Sequence, residues 1–306
     1  MSEFFAMASR DELWSRGALV ETRLTHGQAH QSGTEIIASD SFDDRGLREE
    51  LRRACDAAGA ISRDIARLTD ARIRMVTTAT YGGSVSVQTT IVVTIADVSV
   101  VTTPENLISD HAALARLLAS TAARHPDRPL PIVWRNGSGA VLLHEAAGHA
   151  AEHQHPPLSW PRWLRARDES AAGFADLLAG ELPRAVRRES FRDVPLPRMT
   201  SVKVEQNGAP FELPTRRIEI HLVSGGAYEP LTESVTIRVA IADLVQNDRP
   251  KRLSPFTIRA SRREIARALI GAEGRPQRYP GVICSREGQE LFVASHAPLL
   301  VTAELA

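Results

Sequence analysis

Residues 141–155 read VLLHEAAGHAAEHQH, and the spacing inside this stretch constrains the backbone more tightly than any other feature of the chain. His144, Glu145 and His149 form an H-E-x-x-x-H pattern, one residue longer than the H-E-x-x-H of ordinary zinc-binding helices. On a regular helix an i,i+4 pair is offset by about 40°, whereas an i,i+5 pair is offset by about 140° and cannot face one ion. The helix must therefore depart from regularity. Gly148, directly before His149, is where a kink or a single π-type turn costs least, and such turns concentrate at functional sites.

Each residue of the stretch has a structural reading beside the chemical one. Ala146, Ala147, Ala150 and Ala151 are strong helix formers, and a single histidine on such a helix is ordinarily a solvated or packed side chain. Two histidines flanking a glutamate behind the apolar run 140–143 favour a metal site. Glu152 lies one turn after His149 and reads either as a carboxylate orienting an imidazole or as a helix-surface acid. His153 and His155 read as solvated.

A catalytic zinc site needs a third protein ligand if one position is to stay open for water. The chain has two cysteines. Cys55 falls on the apolar side of an amphipathic segment and reads as a small buried hydrophobe. Cys284 lies in GVICSREGQELFV, after a short apolar strand and before a glycine-containing turn, with Arg286 close enough to favour a thiolate. Spacing alone leaves its ligand and structural readings equally open.

The pattern along the chain predicts an α+β protein. Residues 47–58 carry Leu47, Leu51 and Ala54 at helical spacing, with Gly59 as the expected stop. Residues 72–103, dense in Val, Thr and Ile, predict two or three antiparallel strands turning at Gly82 and Gly83. Asp110 caps an expected helix to Arg124, with Leu114, Leu117 and Leu118 inward. Residues 126–131 mark a boundary between an N-terminal α/β domain with antiparallel strands (1–129) and a mostly β C-terminal domain (130–306) that carries the metal-site helix. Within the second domain, a strand at 132–135 leads through Asn136 and Gly137 to the motif. The arginine-rich run 156–197 reads as a solvated helical face. Strands are expected at 203–205, 217–223 and 234–244, a short helix at 261–270, and a closing hairpin around 284–300.

Composition narrows the functional classes. At 43% hydrophobic and 24% charged, 306 residues can bury a substantial core in two domains. The 37 basic and 37 acidic side chains balance, so neither nucleic acid nor an anionic membrane is an expected partner. The start, MSEFFAMASRDELWSRG, lacks a signal-peptide h-region, and no 18-residue apolar run suggests a span. Two distant cysteines fit a reducing compartment, so a cytoplasmic location is expected.

At this point the residues resemble the TldD/PmbA (TldD/TldE) family of metallopeptidases. The family's LLHEAxGHxxE motif is matched by Leu142, Leu143, His144, Glu145, Ala146, Gly148, His149 and Glu152. Its C-G-K-x-G-Q motif, followed by a strand and a proline, is matched by Cys284, Gly288, Gln289 and Pro298. PLPRMTSVKVEQNG, with Pro197, Arg198, Met199 and Thr200, resembles a P-x-R-M-T-N segment, and LVSGGAYEPLTESVTIRVAIADLVQND resembles the family's Gly-Gly turn and following strand pair. These four motifs lie in order over 130–306, while 1–129 fits loosely. Ser285 and Arg286 stand where Gly and Lys are usual, Ser201 replaces Asn, and His153 with Gln154 replaces Gly-Asp; none removes a ligand. The chain is also shorter than typical members, mainly in the N-terminal part and between 155 and 195.

The resemblance implies a zinc-dependent peptidase. His144, His149 and Cys284 would hold Zn²⁺, and Glu145 would act as general base on the zinc-bound water attacking an amide carbonyl. The substrate would be a peptide bound extended, paired to a strand edge. The protein would form a homodimer, or a heterodimer with a related TldE-like chain, with the Gly225-Gly226 turn as part of the surface or as a plain exposed hairpin. Two other readings remain: a biosynthetic amide hydrolase that processes a peptide natural product, with the same scissile chemistry, and a non-catalytic subunit of a TldD/TldE-like pair. Retention of His144, Glu145, His149 and Cys284 together weighs against the last.

Overall fold

The chain opens with strands that its composition does not announce. In the computed structural model, which describes residues 2–32, 35–39, 45–69, 71–81, 85–95, 98–118, 123, 126, 129–189, 192–207 and 212–305, they are β1 (Ser2–Ser15), β2 (Ala18–Ser32) and β3 (Glu35–Ser39). β1 and β2 form a hairpin closed by Arg16 and Gly17, at φ 49° and 74°, the positive values that a two-residue turn requires. Helix α1 (Arg45–Thr69) follows, then β4 (Arg72–Tyr81), β5 (Val85–Ile95) and β6 (Val98–Thr102), and finally α2 (Leu107–Leu118). The six strands form one antiparallel sheet in the order β3-β2-β1-β4-β5-β6.

α1 runs well past its expected stop. At Gly59 a Cβ would stand 3.6 Å from Trp14 and 3.7 Å from Glu12, so the glycine sits at an ordinary packing contact. A mid-helix glycine costs only about 1 kcal/mol, and the apolar face outweighs it: Cys55, Ala58, Ile65 and Ala66 form a core cluster with Ile73, Met75, Ile91, Val93 and Leu107. Cys55 is the small buried hydrophobe that its position suggested, and burial pushes its thiol pKa up. α2 begins three residues before its expected cap, because Asp110 turns its carboxylate to Thr102 Oγ1 (2.6 Å) and ties the first turn of the helix to β6. Gly82, Gly83 and Arg124, and the side chains of Leu47, Leu51, Leu117 and Leu118, lie outside the described residues.

The chain divides into two compact units, Met1–Leu118 with Arg188–Leu196 and Cys284–Leu291, and Ala119–Arg187 with Pro197–Ile283 and Phe292–Ala306. The later strands form a ten-stranded mixed sheet. In chain order its first elements are β7 (Ile132–Trp134), α3 (Gly139–Leu143), a π-helical turn (His144–His149) and α4 (Ala150–Glu152). Next come β8 (Leu164–Ser170), β9 (Gly173–Asp176), the separate pair β10 (Val186–Arg187) and β11 (Leu196–Pro197), and β12 (Ser201–Gln206). β13 (Arg216–Glu229), β14 (Ser234–Gln246), β15 (Arg249–Leu253), β16 (Phe256–Ser261), α5 (Arg262–Ala268), β17 (Leu269–Arg286) and β18 (Gln289–Thr302) complete it. The main order is β15-β14-β13-β7-β18-β12-β8-β9, with β16 beside β14 and β17 beside β18.

Two stretches differ from their expected form. The run 156–197 does not present a helical face: LRARDES alternates, with Leu164, Ala166 and Asp168 buried, and this period of two is a strand's. Its arginines obscured the alternation. Gly225 and Gly226 do not form a turn either; they lie within β13, paired with Arg238 and Ile237 of β14, just past a register shift. α5 starts with a capping box in which Ser261 and Glu264 bond reciprocally, as a helix start after a strand favours.

Candidate metal centre

The site grows from a helical segment enclosed on all sides. Every residue from 139 to 152 is buried, so the sequence shows Ala, Gly, Val and Leu all round instead of a polar stripe. After five residues of α-helix the chain makes its π-helical turn over His144–His149 and returns to α-helix at Ala150. This is the departure that the five-residue spacing demands, and it brings the two imidazole rings edge to face with centroids 4.9 Å apart. Gly148 has a steric role: a Cβ there would overlap the thioether of Met199, so the glycine leaves room for the Met199 side chain against the turn.

A ring nitrogen of His144, one of His149 and Sγ of Cys284 lie within 4.8 Å of one another, and all three residues are buried. Cys284 stands near the end of β17, one residue beyond Ile283. Two imidazoles and a thiolate are a zinc-type donor set. Among the described residues, His144 Nδ1 is buried with no hydrogen-bond partner, a costly state for a ring nitrogen that has nothing to bind. These features fit a metal ion.

The second imidazole is held from behind. His149 Nδ1 lies 2.9 Å from Glu152 Oε2, leaving Nε2 as the nitrogen on the cluster side. Glu152 is therefore no surface acid: it is 2% exposed, its Oε1 accepts the Met199 amide at 3.1 Å, and Arg198 Nε stands 3.7 Å away. Burial works against its charge, but the hydrogen bond and charge of His149, the Met199 amide and Arg198 outweigh it and hold its pKa below the usual range. Such a carboxylate fixes the tautomer and orientation of a ligating imidazole.

Glu145 is buried, with Oε2 3.7 Å from His149 Nε2, beside the ligand atoms but too far for a hydrogen bond. Strand β13 presses on it from the other side: a Cβ at Gly226 would come within 2.5 Å of Glu145 Oε1. His153 is exposed and His155 half-buried, and both approach the Tyr228 ring, with centroids 6.1 and 5.8 Å away. In the sequence, Arg198, Met199 and the paired glycines stand out only as motif matches; their contacts with Glu152, Gly148 and Glu145 carry no local signal. Arg262, which donates to the Ala146 carbonyl at 2.9 Å, had none at all.

No protein-family model matches the sequence, and no curated protein matches it either. Solved structures do match in fold. TldE from Thermococcus kodakarensis is 8% identical with a TM-score of 0.53 over 99% of this chain and 95% of that one. A Thermotoga maritima protein described as a candidate modulator of a DNA gyrase is 11% identical with a TM-score of 0.54 over 99% and 94%. Likeness at these identities is one of fold, and the α+β architecture of this chain is that of TldE.

Proposed function

We propose that this chain is a zinc-dependent peptidase that hydrolyses amide bonds of extended peptides. The observation that carries the reading is the buried His144, His149 and Cys284 cluster on the π-turn, with Glu145 beside it. The TldE fold and the four sequence motifs support it. His144, His149 through Nε2, and Cys284 through Sγ would hold the ion. When bound, zinc supplies Lewis acidity, lowering the pKa of water to about 7 and polarising a carbonyl.

The chain's own groups do the rest. Glu145 accepts the proton of the attacking water at a carboxylate oxygen and passes it to the departing amine. Glu152 fixes the His149 ring through Nδ1, and burial of the whole segment keeps bulk water from competing for the carboxylate. We assign peptidase chemistry to the 130–306 domain. Its proposed partners are a peptide, held by backbone pairing to a strand edge, and a second chain of the same or a related sequence; the proposed location is cytoplasmic.

Metal content of the purified protein and a peptide-cleavage screen test the reading together. About one zinc per chain is expected, and Glu145→Gln should keep the metal while lowering turnover on the order of 10²- to 10⁴-fold. Near-normal turnover in that variant ends the general-base role, and full zinc occupancy in Cys284→Ala ends the ligand assignment.

A further inference from the structure

Strand β2 is only half used by the fold. Its inner edge pairs with β1 along its length, but on the outer edge β3 pairs only with residues 28–32. Among the described residues, no strand pairs with the outer edge of Ala18 to Gly27. Residues 18–24 of this stretch are exposed on both faces, with Leu19, Val20 and Leu24 42%, 61% and 66% exposed. An edge of this length bearing apolar side chains is a template for another strand.

The sequence of the edge selects the strand. Two copies of β2 meeting antiparallel about a two-fold axis normal to the sheet must pair residue i with residue S−i, where S is even, because opposed residues share a face. Centring on Glu21 opposes Glu21 to itself, and centring on Arg23 opposes Arg23 to itself; like charges in that position destabilise. Centring on Thr22 sets Glu21 against Arg23 twice on one face. On the other face it sets Val20 against Leu24 twice, around a Thr22 pair. It also fits the open window, which runs from the Arg16-Gly17 turn to the first β3 pair at Gln28.

We propose that β2 is a self-association edge, pairing antiparallel with β2 of a second copy about Thr22 and joining two six-stranded sheets into one. The pairing is isologous and closed, so it makes dimers and not chains. It stands on the strand alone and is independent of the metal reading.

Charge reversal at the exposed edge tests it without disturbing the core. Arg23→Glu should weaken dimerisation at least about tenfold by sedimentation, since it opposes four carboxylates. The double variant Glu21→Arg/Arg23→Glu should restore dimers with itself but not form mixed dimers with the wild-type chain. Mild oxidation should trap Thr22→Cys as a symmetric disulfide dimer and leave Val20→Cys untrapped, because in this register two Val20 residues lie about 13 Å apart along the strands. The proposal is overturned by a wild-type chain that stays monomeric at all concentrations, by Arg23→Glu with unchanged association, by a double variant that does not recover, or by equal trapping at the two cysteine positions.

Discussion

Replacing Glu152 with glutamine separates the two jobs that its carboxylate performs. The side chain keeps its shape and can still accept the Met199 amide, now at 3.1 Å, and still reach His149. What disappears is the charge. The 2.9 Å contact with His149 Nδ1 loses its ionic partner, and outer partners of ligating histidines are worth about 10- to 100-fold in metal affinity. The buried Arg198 loses a carboxylate oxygen 3.7 Å from its Nε. Breaking a buried ion pair costs about 3–5 kcal/mol, but 3.7 Å exceeds hydrogen-bond range, so a loss of about 2–3 kcal/mol, below that span, is expected. The first quantity is read by competition with a chromophoric chelator, the second by urea unfolding of the metal-free chain with an unchanged m-value. Unfolding that weakens while metal affinity stays at the wild-type value would refute the orienting role and leave Glu152 as a support for Arg198 and Met199 only.

Gly226→Ala should lower turnover while sparing zinc content, because the atoms nearest the added methyl all belong to Glu145; metal loss in step with activity would count against that separation. Glu219, bound by Arg135 at 2.7 and 3.0 Å and by Arg217 at 2.7 Å, is disfavoured as an anion by burial but held below the usual glutamate range by the two guanidinium groups. A depressed folded pKa stabilises above the unfolded value, and that stabilisation is lost as pH falls through the folded one. Glu219→Gln should therefore be less stable than wild type by about 1.5–3 kcal/mol at neutral pH, with the gap closing in acid; a gap independent of pH in urea titrations would contradict this.

The parts of this protein that its sequence discloses are those that follow from short-range spacing. Two histidines five positions apart cannot face one ion on a regular helix, so an irregular turn is implied before any coordinate is known, and it is a π-turn. Alternation discloses β4 to β6, β13 and β14. The β1–β2 hairpin was illegible because its residues place charge on both faces, and the strand β8 because arginines occupy its outward positions. Sequence alone ends α1 at Gly59, short of Thr69, because a glycine's local cost is visible in sequence, while the sheet that offsets it is not.

The same division runs through the site. A π-turn withdraws a backbone carbonyl from the helical ladder, and something outside the helix must take its place. Here Arg262 donates to the Ala146 carbonyl from 116 positions away; the guanidinium is held in turn by Glu233 at 2.9 Å. On the other flank, Glu152 reaches 47 positions to the Met199 amide, and Met199 fills the space that Gly148 leaves. The supports thus come from α5 and from the segment before β12, elements brought to the turn only by the strand order of the large sheet. Spacing can name the two histidines that would hold an ion, since they must share a face of one segment; it can name neither Cys284 on a distant strand nor what keeps that face in place.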